Sequence, residues 1–315
     1  MLHRPKTLLC FSLALAFGVS LLAPQLNPYH LDVLLTIGIN IVLAVSLNLV
    51  NGYTGQFSLG HAGFMAVGAY ASAAFTLFAA PRWFPDANFL VTSACFFVAL
   101  LLGGLASAGA GVIVGAPSLR LKGDYLAIVT LGFGEIIRVI FRNVDALGGA
   151  LGLNGIPFHT NFFWVSFWGL ITIYMVLALV NSSFGRGFLA VRDDEIAAEA
   201  MGINTTQYKI IAFVVSAFFA GIAGGLYAHL KSSIDPKGFD FMRSIEIVVM
   251  VILGGMANTR GVIMAAVILT LLPEILCPIA EYRMVIYSLL LIILMLTRPQ
   301  GLFSFRIRPH PSHSA

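Results

Sequence analysis

The 315 residues are 59% hydrophobic and only 10% charged, and their mean hydropathy is +0.92. A water-soluble domain of this length carries about 25% charged residues, so a soluble globular protein is excluded. The net charge of +4 comes from cations scattered singly between apolar runs, with no basic block, and this argues against a nucleic-acid partner.

The composition predicts an all-α, polytopic transmembrane bundle. Apolar runs divide into about ten crossings, each near the ~20 residues needed to span hydrocarbon as a helix. They fall at 7–23, 31–50, 57–79, 89–115, 124–141, 161–181, 209–230, 243–256, 261–280 and 283–297. The first follows Arg4 and Lys6 and ends in Ala-Pro-Gln-Leu-Asn-Pro with no good small-residue cleavage site, so it reads as a retained span. Residues 1–297 then form one transmembrane domain, and 298–315 form a tail. The eighth run is short and ends at Gly254 and Gly255, as a partial or re-entrant span would. Placing the N-terminus inside puts eleven of the eighteen Lys and Arg residues on the cytoplasmic side, the tail included. Both termini are therefore expected in the cytoplasm.

Between the second and third runs, the stretch Asn51 to Tyr70 carries glycines at 52, 55, 60, 63 and 68. The spacings Gly60/Gly63 and Gly63/Ala66 predict small faces that let helices approach closely. Gln56, Ser58 and His61 lie within it, and polar non-helical backbone at this depth needs protein or a water-filled cavity around it. These three are candidates for the translocation pathway, with His61 placed to bond substrate or Gln56. Glu135 and Arg138 stand three apart in an apolar helix, so they share a face and can pair. Intramembrane charges point into a bundle or cavity, which adds both to the pathway candidates. Asp124 reads as a helix N-cap, and Glu246 and Glu274 as isolated carboxylates.

The most polar internal stretch is 182–209. Asp193, Asp194 and Glu195 place carboxylates where a helix start has unpaired N–H groups. Ile196 to Met201 suit a helix, and Gly202 suits the left-handed position that ends it. A short capped helix is therefore predicted from 193 to 202, on the cytoplasmic side. A second Gly-rich break runs from Leu253 to Gly261, and a third from Gly148 to Pro157.

No phosphate-binding Gly-x4-Gly-Lys-Ser/Thr loop, His-Glu-x-x-His or Gly-x-Ser-x-Gly occurs. The seven histidines are dispersed and the three cysteines form no CxxC pair, so neither a metal nor a cofactor is expected. No catalytic residues are assigned, and the chain does not read as an enzyme.

Several blocks together resemble one family. They are Gly-Tyr-Thr-Gly-Gln-Phe-Ser-Leu-Gly-His-Ala-Gly-Phe at 52–64, Gly-Asp-Tyr-Leu-Ala-Ile-Val-Thr-Leu-Gly-Phe-Gly-Glu at 123–135, Ile-Leu-Gly-Gly-Met at 252–256 and Thr-Arg-Pro-Gln-Gly-Leu-Phe at 297–303. The run from Gly185 to Ile203 belongs with them. In this order they resemble the permease subunits of branched-chain amino-acid ABC importers, of the LivM type. The resemblance implies that 182–209 is a coupling loop on an ATPase subunit, with Arg186, Arg192, Asp193, Asp194, Glu195, Glu199 and Gly202 at the contact. Glu199 and Gly202 match the broader importer motif, whereas its Glu-Ala-Ala triplet and trailing Leu-Pro are missing. It also implies a second homologous permease, two ATP-binding subunits, a periplasmic solute-binding protein and a lipid setting in a bacterial inner membrane. The implied cargo is leucine, isoleucine and valine, with urea or short amides as the alternative. An ion-coupled secondary transporter built on Glu135 and Arg138 is the reading from a different class.

Overall fold

The computed structural model describes residues 27–84, 88–118 and 124–276, with 288–289 and 292–293. The expected first span, nearly all of the expected tenth and the tail at 298–315 lie outside the described residues.

Asn27 accepts a hydrogen bond from the Tyr29 N–H, and Pro28 takes the first turn of α1 (Pro28–Asn48). A π-helical turn, Leu49–Tyr53, extends α1. Residues 54–60 are not helical, and α2 (His61–Ala74) follows. A second π turn and the short α3 (Ala80–Trp83) lead to α4 (Phe89–Ser118). Next come α5 (Asp124–Asn143), α6 (Phe162–Val180), α7 (Ser183–Asp193) and α8 (Glu195–Ala200). The described chain closes with α9 (Thr205–Lys231), α10 (Phe241–Gly254) and α11 (Thr259–Ile275). Two two-residue strands, Leu153–Asn154 and Ser233–Ile234, pair antiparallel and tie the loop after α5 to the far end of α9.

Five segments are long and apolar enough to cross a membrane: Pro28–Tyr53, His61–Trp83, Phe89–Ser118, Phe162–Val180 and Thr205–Lys231. The other three runs that the sequence analysis counted within this region are helices too, but weaker candidates. α5 includes Asp124, Glu135, Arg138 and Arg142. α10 has 14 residues, about 21 Å at ~1.5 Å per residue, and α11 has 17. The run expected at 57–79 becomes helical only at His61, since residues 57–60 form no regular structure.

Helices α1 and α9 form the centre. α9 packs along α4, α2 and α1, while α1 also meets α6, α10 and α11. Three glycines explain how α2, α4 and α9 come so close. A Cβ on Gly68 would lie 2.1 Å from the Gly221 carbonyl oxygen, and one on Gly103 would lie 2.7 Å from the Gly68 oxygen. Backbone touches backbone, as small-residue packing in a membrane requires. Gly68→Ala is expected to destabilise the bundle by about 1–3 kcal/mol, since no side chain can rotate aside to make room. Thermal melting of the detergent-purified protein checks this against Gly109→Ala, whose new methyl meets nothing within 4 Å.

α1 and α9 run in opposite directions. Lys231, at the end of α9, bonds Asp32 in the first turns of α1 at 2.8 Å. At the other end, a Cβ on Gly55, just past α1, would lie 2.8 Å from Arg192 Cγ of α7, which precedes α9. The bundle therefore has two distinct ends, separated along α9 by about 40 Å for its 27 residues.

Candidate functional site

At the end marked by Gly55, the chain between α6 and α9 folds into two helices, where a single helix was expected. Ser182 caps α7, its Oγ accepting the Phe184 N–H at 3.2 Å. Phe184, Phe188 and Val191 follow helical spacing, and Phe188 and Val191 are buried. α7 ends at Asp193. Asp194 adopts extended backbone (φ −158°, ψ 107°), and its Oδ1 accepts the Ile196 and Ala197 N–H groups at 2.9 and 3.0 Å. It is the N-cap of α8. Asp193 instead pairs with Arg192 at 2.8 Å.

The predicted end of the helix is present. Gly202 has φ +84°, its N–H reaches the Glu199 carbonyl at 2.9 Å, and the Ile203 N–H reaches the Ala198 carbonyl at 3.0 Å. These two bonds make a Schellman cap. The turn brings α8 back onto the start of α9, where Glu195 pairs with the buried Lys209 at 2.7 Å and Thr205 Oγ1 donates to Glu199 Oε1 at 2.7 Å. Tyr208 of α9 packs edge-on to Phe188, and a Cβ on Gly187 would lie 2.2 Å from its ring. The two-helix unit is thus fixed to α9 by packing and by charge.

Most of the charges expected at a partner contact also have partners within the chain. Asp194, Glu195 and Glu199 satisfy groups within the loop, and Arg192 and Asp193 satisfy each other. Arg186 lies 3.5 Å from Ser183 Oγ and is exposed. Beside these exposed charges the unit also presents two large apolar side chains: Ile196 is 72% exposed and Met201 82%. The sequence analysis selected charged residues here and did not single out Ile196, within α8, or Met201, at its C-terminal cap.

The second candidate region is the non-helical segment beside this unit. From Gly55 to Gly60 burial alternates, with Gln56, Ser58 and Gly60 buried. The Ser58 N–H donates to Asn51 Oδ1 at 3.2 Å. Neither amide atom of Gln56 has a hydrogen-bond partner among the described residues, nor do Asn48 Nδ2 and Asn51 Nδ2. Tyr53 and the α10–α11 turn close over the same place: Tyr53 Oη lies 2.9 Å from Thr259 Oγ1, and the Ala257 N–H donates to Asn48 Oδ1 at 3.0 Å. His61 does not meet Gln56. Its Nε2 lies 3.0 Å from Ser46 Oγ, and Ser216 Oγ donates to the Ser46 carbonyl at 2.7 Å. The Ala62 N–H, in the first turn of α2, donates to Ser244 Oγ of α10 at 3.1 Å.

Glu135 and Arg138 pair as predicted, at 2.6 Å, with both side chains one-third exposed. Glu135 borders a small cleft with Ala62, Gly63 and Ser244. Arg138 lines another with Arg142, Asp235 and Lys237. Of the five pathway candidates, Gln56, Ser58 and His61 therefore lie along one segment, Glu135 reaches its edge, and Arg138 points elsewhere. Glu246 and Glu274 are not isolated: Arg243 holds Glu246 at 2.9 Å, and Tyr29 donates to Glu274. Among the described residues no group of three or more His, Cys, Asp or Glu side chains is arranged to hold a metal.

Residues 29–296 match the family model described as branched-chain amino acid transport system / permease component. The chain is 36% identical over 299 residues to the high-affinity branched-chain amino acid transport system permease protein LivM of Salmonella typhimurium, an alignment covering 84% of this chain and 67% of the relative. It is 34% identical, with the same coverage, to the LivM protein of Escherichia coli. The LivH permease of Salmonella typhimurium is 24% identical over 83% of this chain and 90% of its own length. No solved structure matches significantly.

Proposed function

The chain belongs to the branched-chain amino acid transport permease family, and we propose that it carries leucine, isoleucine and valine inward by alternating access. As a multi-pass permease component of an ABC transport system it is not itself an enzyme, so ATP is hydrolysed on partner subunits. The carrying observation is the two-helix unit of α7 and α8: it is tied to α9 through Lys209 and Tyr208, and to the Gln56–Ser58 segment through Gly55 and Arg192. A partner that grips Ile196 and Met201 therefore moves both together. Closure of the ATP-bound partner biases the permease between two states through contacts that differ between them.

In this reading the two-helix unit faces the cytoplasm of a bacterial inner membrane, against two ATP-binding subunits. Similarity to both LivM and LivH supports a homologous second permease in the complex. A soluble binding protein delivers the substrate. The permease needs only weak selectivity, and the unpartnered amide of Gln56 with the unpartnered Nδ2 groups of Asn48 and Asn51 gives a polar lining without fixed charge.

Co-purified complex in proteoliposomes, with the binding protein outside, tests this reading. ATP hydrolysis and uptake should both rise with leucine. A complex stimulated by urea or acetamide and not by leucine contradicts the cargo, and leucine uptake by the chain alone on an ion gradient contradicts ATP coupling. Gln56→Leu relieves a buried, unpartnered amide, a burden of about 1–3 kcal/mol. It should raise the melting temperature while slowing leucine uptake severalfold, and unchanged uptake removes Gln56 from the pathway.

A further inference from the structure

A second polar site lies at the other end of the bundle, where the sequence singled out only Glu274, as an isolated carboxylate. α1, α9, α10 and α11 enclose a cleft of about 260 Å³, bordered by Asp32, Thr36, Lys231, Arg243, Thr270 and Glu274. This is somewhat smaller than the ~300–1,000 Å³ of sites for drug-sized ligands. Its floor is closed by one network: Arg243 Nη2 donates to Asn40 Oδ1 at 2.7 Å, and Asn40 Nδ2 donates to Thr270 Oγ1 at 2.9 Å. Asn40 and Arg243 are largely buried, and Asn40 lies about 18 Å along α1 from Pro28 at ~1.5 Å per residue.

Two cations, Lys231 and Arg243, and two carboxylates, Asp32 and Glu274, line the cleft, and Glu246 is bonded to Arg243. Lys231 Nζ reaches both Asp32 oxygens, at 2.8 and 2.9 Å, which leaves one ammonium proton. Arg243 commits one N–H to Glu246 and one to Asn40, out of the five that a guanidinium carries. Glu274 accepts from Tyr29 at Oε2 and retains a second oxygen.

We propose that this cleft holds a free α-amino acid as its zwitterion, with Arg243 and Lys231 meeting the carboxylate and Glu274 and Asp32 meeting the ammonium. A solute with one charge finds one favourable pair and one repulsive pair there. A neutral solute such as urea makes no ionic contact with the remaining Lys231 and Arg243 protons or with the second Glu274 oxygen. Only a ligand carrying both charges satisfies both sides, and Arg offers a carboxylate paired donors in a planar fork. In the orientation proposed above, the site faces the delivery side, over a floor that must part before the ligand moves on. The assignment rests on that reading for its direction and for leucine as the probe.

The test is equilibrium binding of radiolabelled leucine to the complete permease–ATPase complex in nanodiscs, without the soluble binding protein. Leucinamide lacks the carboxylate and 4-methylpentanoate lacks the ammonium, so the two serve as competitors. Wild type should prefer leucine at least tenfold over each. Arg243→Gln should lose the preference over leucinamide and keep that over 4-methylpentanoate, and Glu274→Gln should do the reverse. Lys231→Gln and Asp32→Asn form a second such pair if either first variant fails to fold. A structural defect would shift all three ligands together, so a uniform shift, unchanged preferences or no leucine binding by wild type each overturns the site. Wild-type uptake of leucine separates the cases: if it occurs while the preferences do not move, the cleft is wrong and the transport reading stands. If uptake fails, the transport reading is wrong.

Discussion

Ile196→Asp combined with Met201→Asp is expected to remove at least nine-tenths of leucine-stimulated ATP hydrolysis while leaving the permease folded and inserted. Both side chains are exposed and neither contributes to the core, so the folded chain loses little. In the proposed complex they are the apolar anchors around which an interface excludes water, and a few such residues carry most of the binding energy. Two buried anchors contribute about 1.5–3 kcal/mol each, and placing carboxylates there adds desolvation. Arg186→Ala should have a much smaller effect, since an exposed charge at a rim mainly sets approach and register. If the double variant couples normally while Arg186→Ala does not, the charged face is the contact and the apolar one is not.

Gly55→Val is expected to separate hydrolysis from transport. Gly55 holds φ +67°, and a Cβ there would lie 2.8 Å from Arg192 Cγ and 3.4 Å from Arg192 Cα. A β-branched side chain in this conformation costs about 1–2 kcal/mol before any contact with α7 is counted. The strain is relieved either by tilting the two-helix unit away or by distorting the Gln56–Ser58 segment. Either change disrupts the contact that joins them. ATP hydrolysis should persist and leucine uptake should fall by an order of magnitude or more. Asn tolerates left-handed backbone better, so Gly55→Asn should fall between wild type and Val. Equal uptake in all three proteins would mean that this contact carries no motion.

What the sequence made legible follows from how local each feature is. The Gly202 cap requires only a helix of small residues followed by glycine, and the Glu135–Arg138 pair requires only three residues of helix. The split between α7 and α8 was missed because Asp193 to Glu195 read as one polar helix start. Phe184, Phe188 and Val191 carried the missing signal, an apolar stripe that needs a helix of its own. The partners of Glu195 and Glu199 were not readable, because Lys209 and Thr205 reach them only after the chain turns at Gly202. His61 followed the same logic: Gln56 is nearer in sequence, but the non-helical segment carries it away and α1 supplies Ser46. The cleft of Asp32, Lys231, Arg243 and Glu274 draws on four helices up to 242 positions apart, and no local pattern announces it. Residues 57–60 were counted as part of a span because they adjoin an apolar run, whereas Gly60 and the buried Ser58 belong to the non-helical break before His61.

The central claim is that the α7–α8 unit faces the cytoplasm and is gripped there by the ATPase. Ile196→Cys, in a chain whose native cysteines are replaced, tests it most directly in the assembled complex within intact membranes. The account predicts that a short bifunctional thiol reagent cross-links position 196 to the ATP-binding subunit, with a yield that changes when ATP is bound. It also predicts that an impermeant maleimide added outside intact cells leaves this position unlabelled. Labelling from outside, or a cross-link to no other subunit, would contradict it.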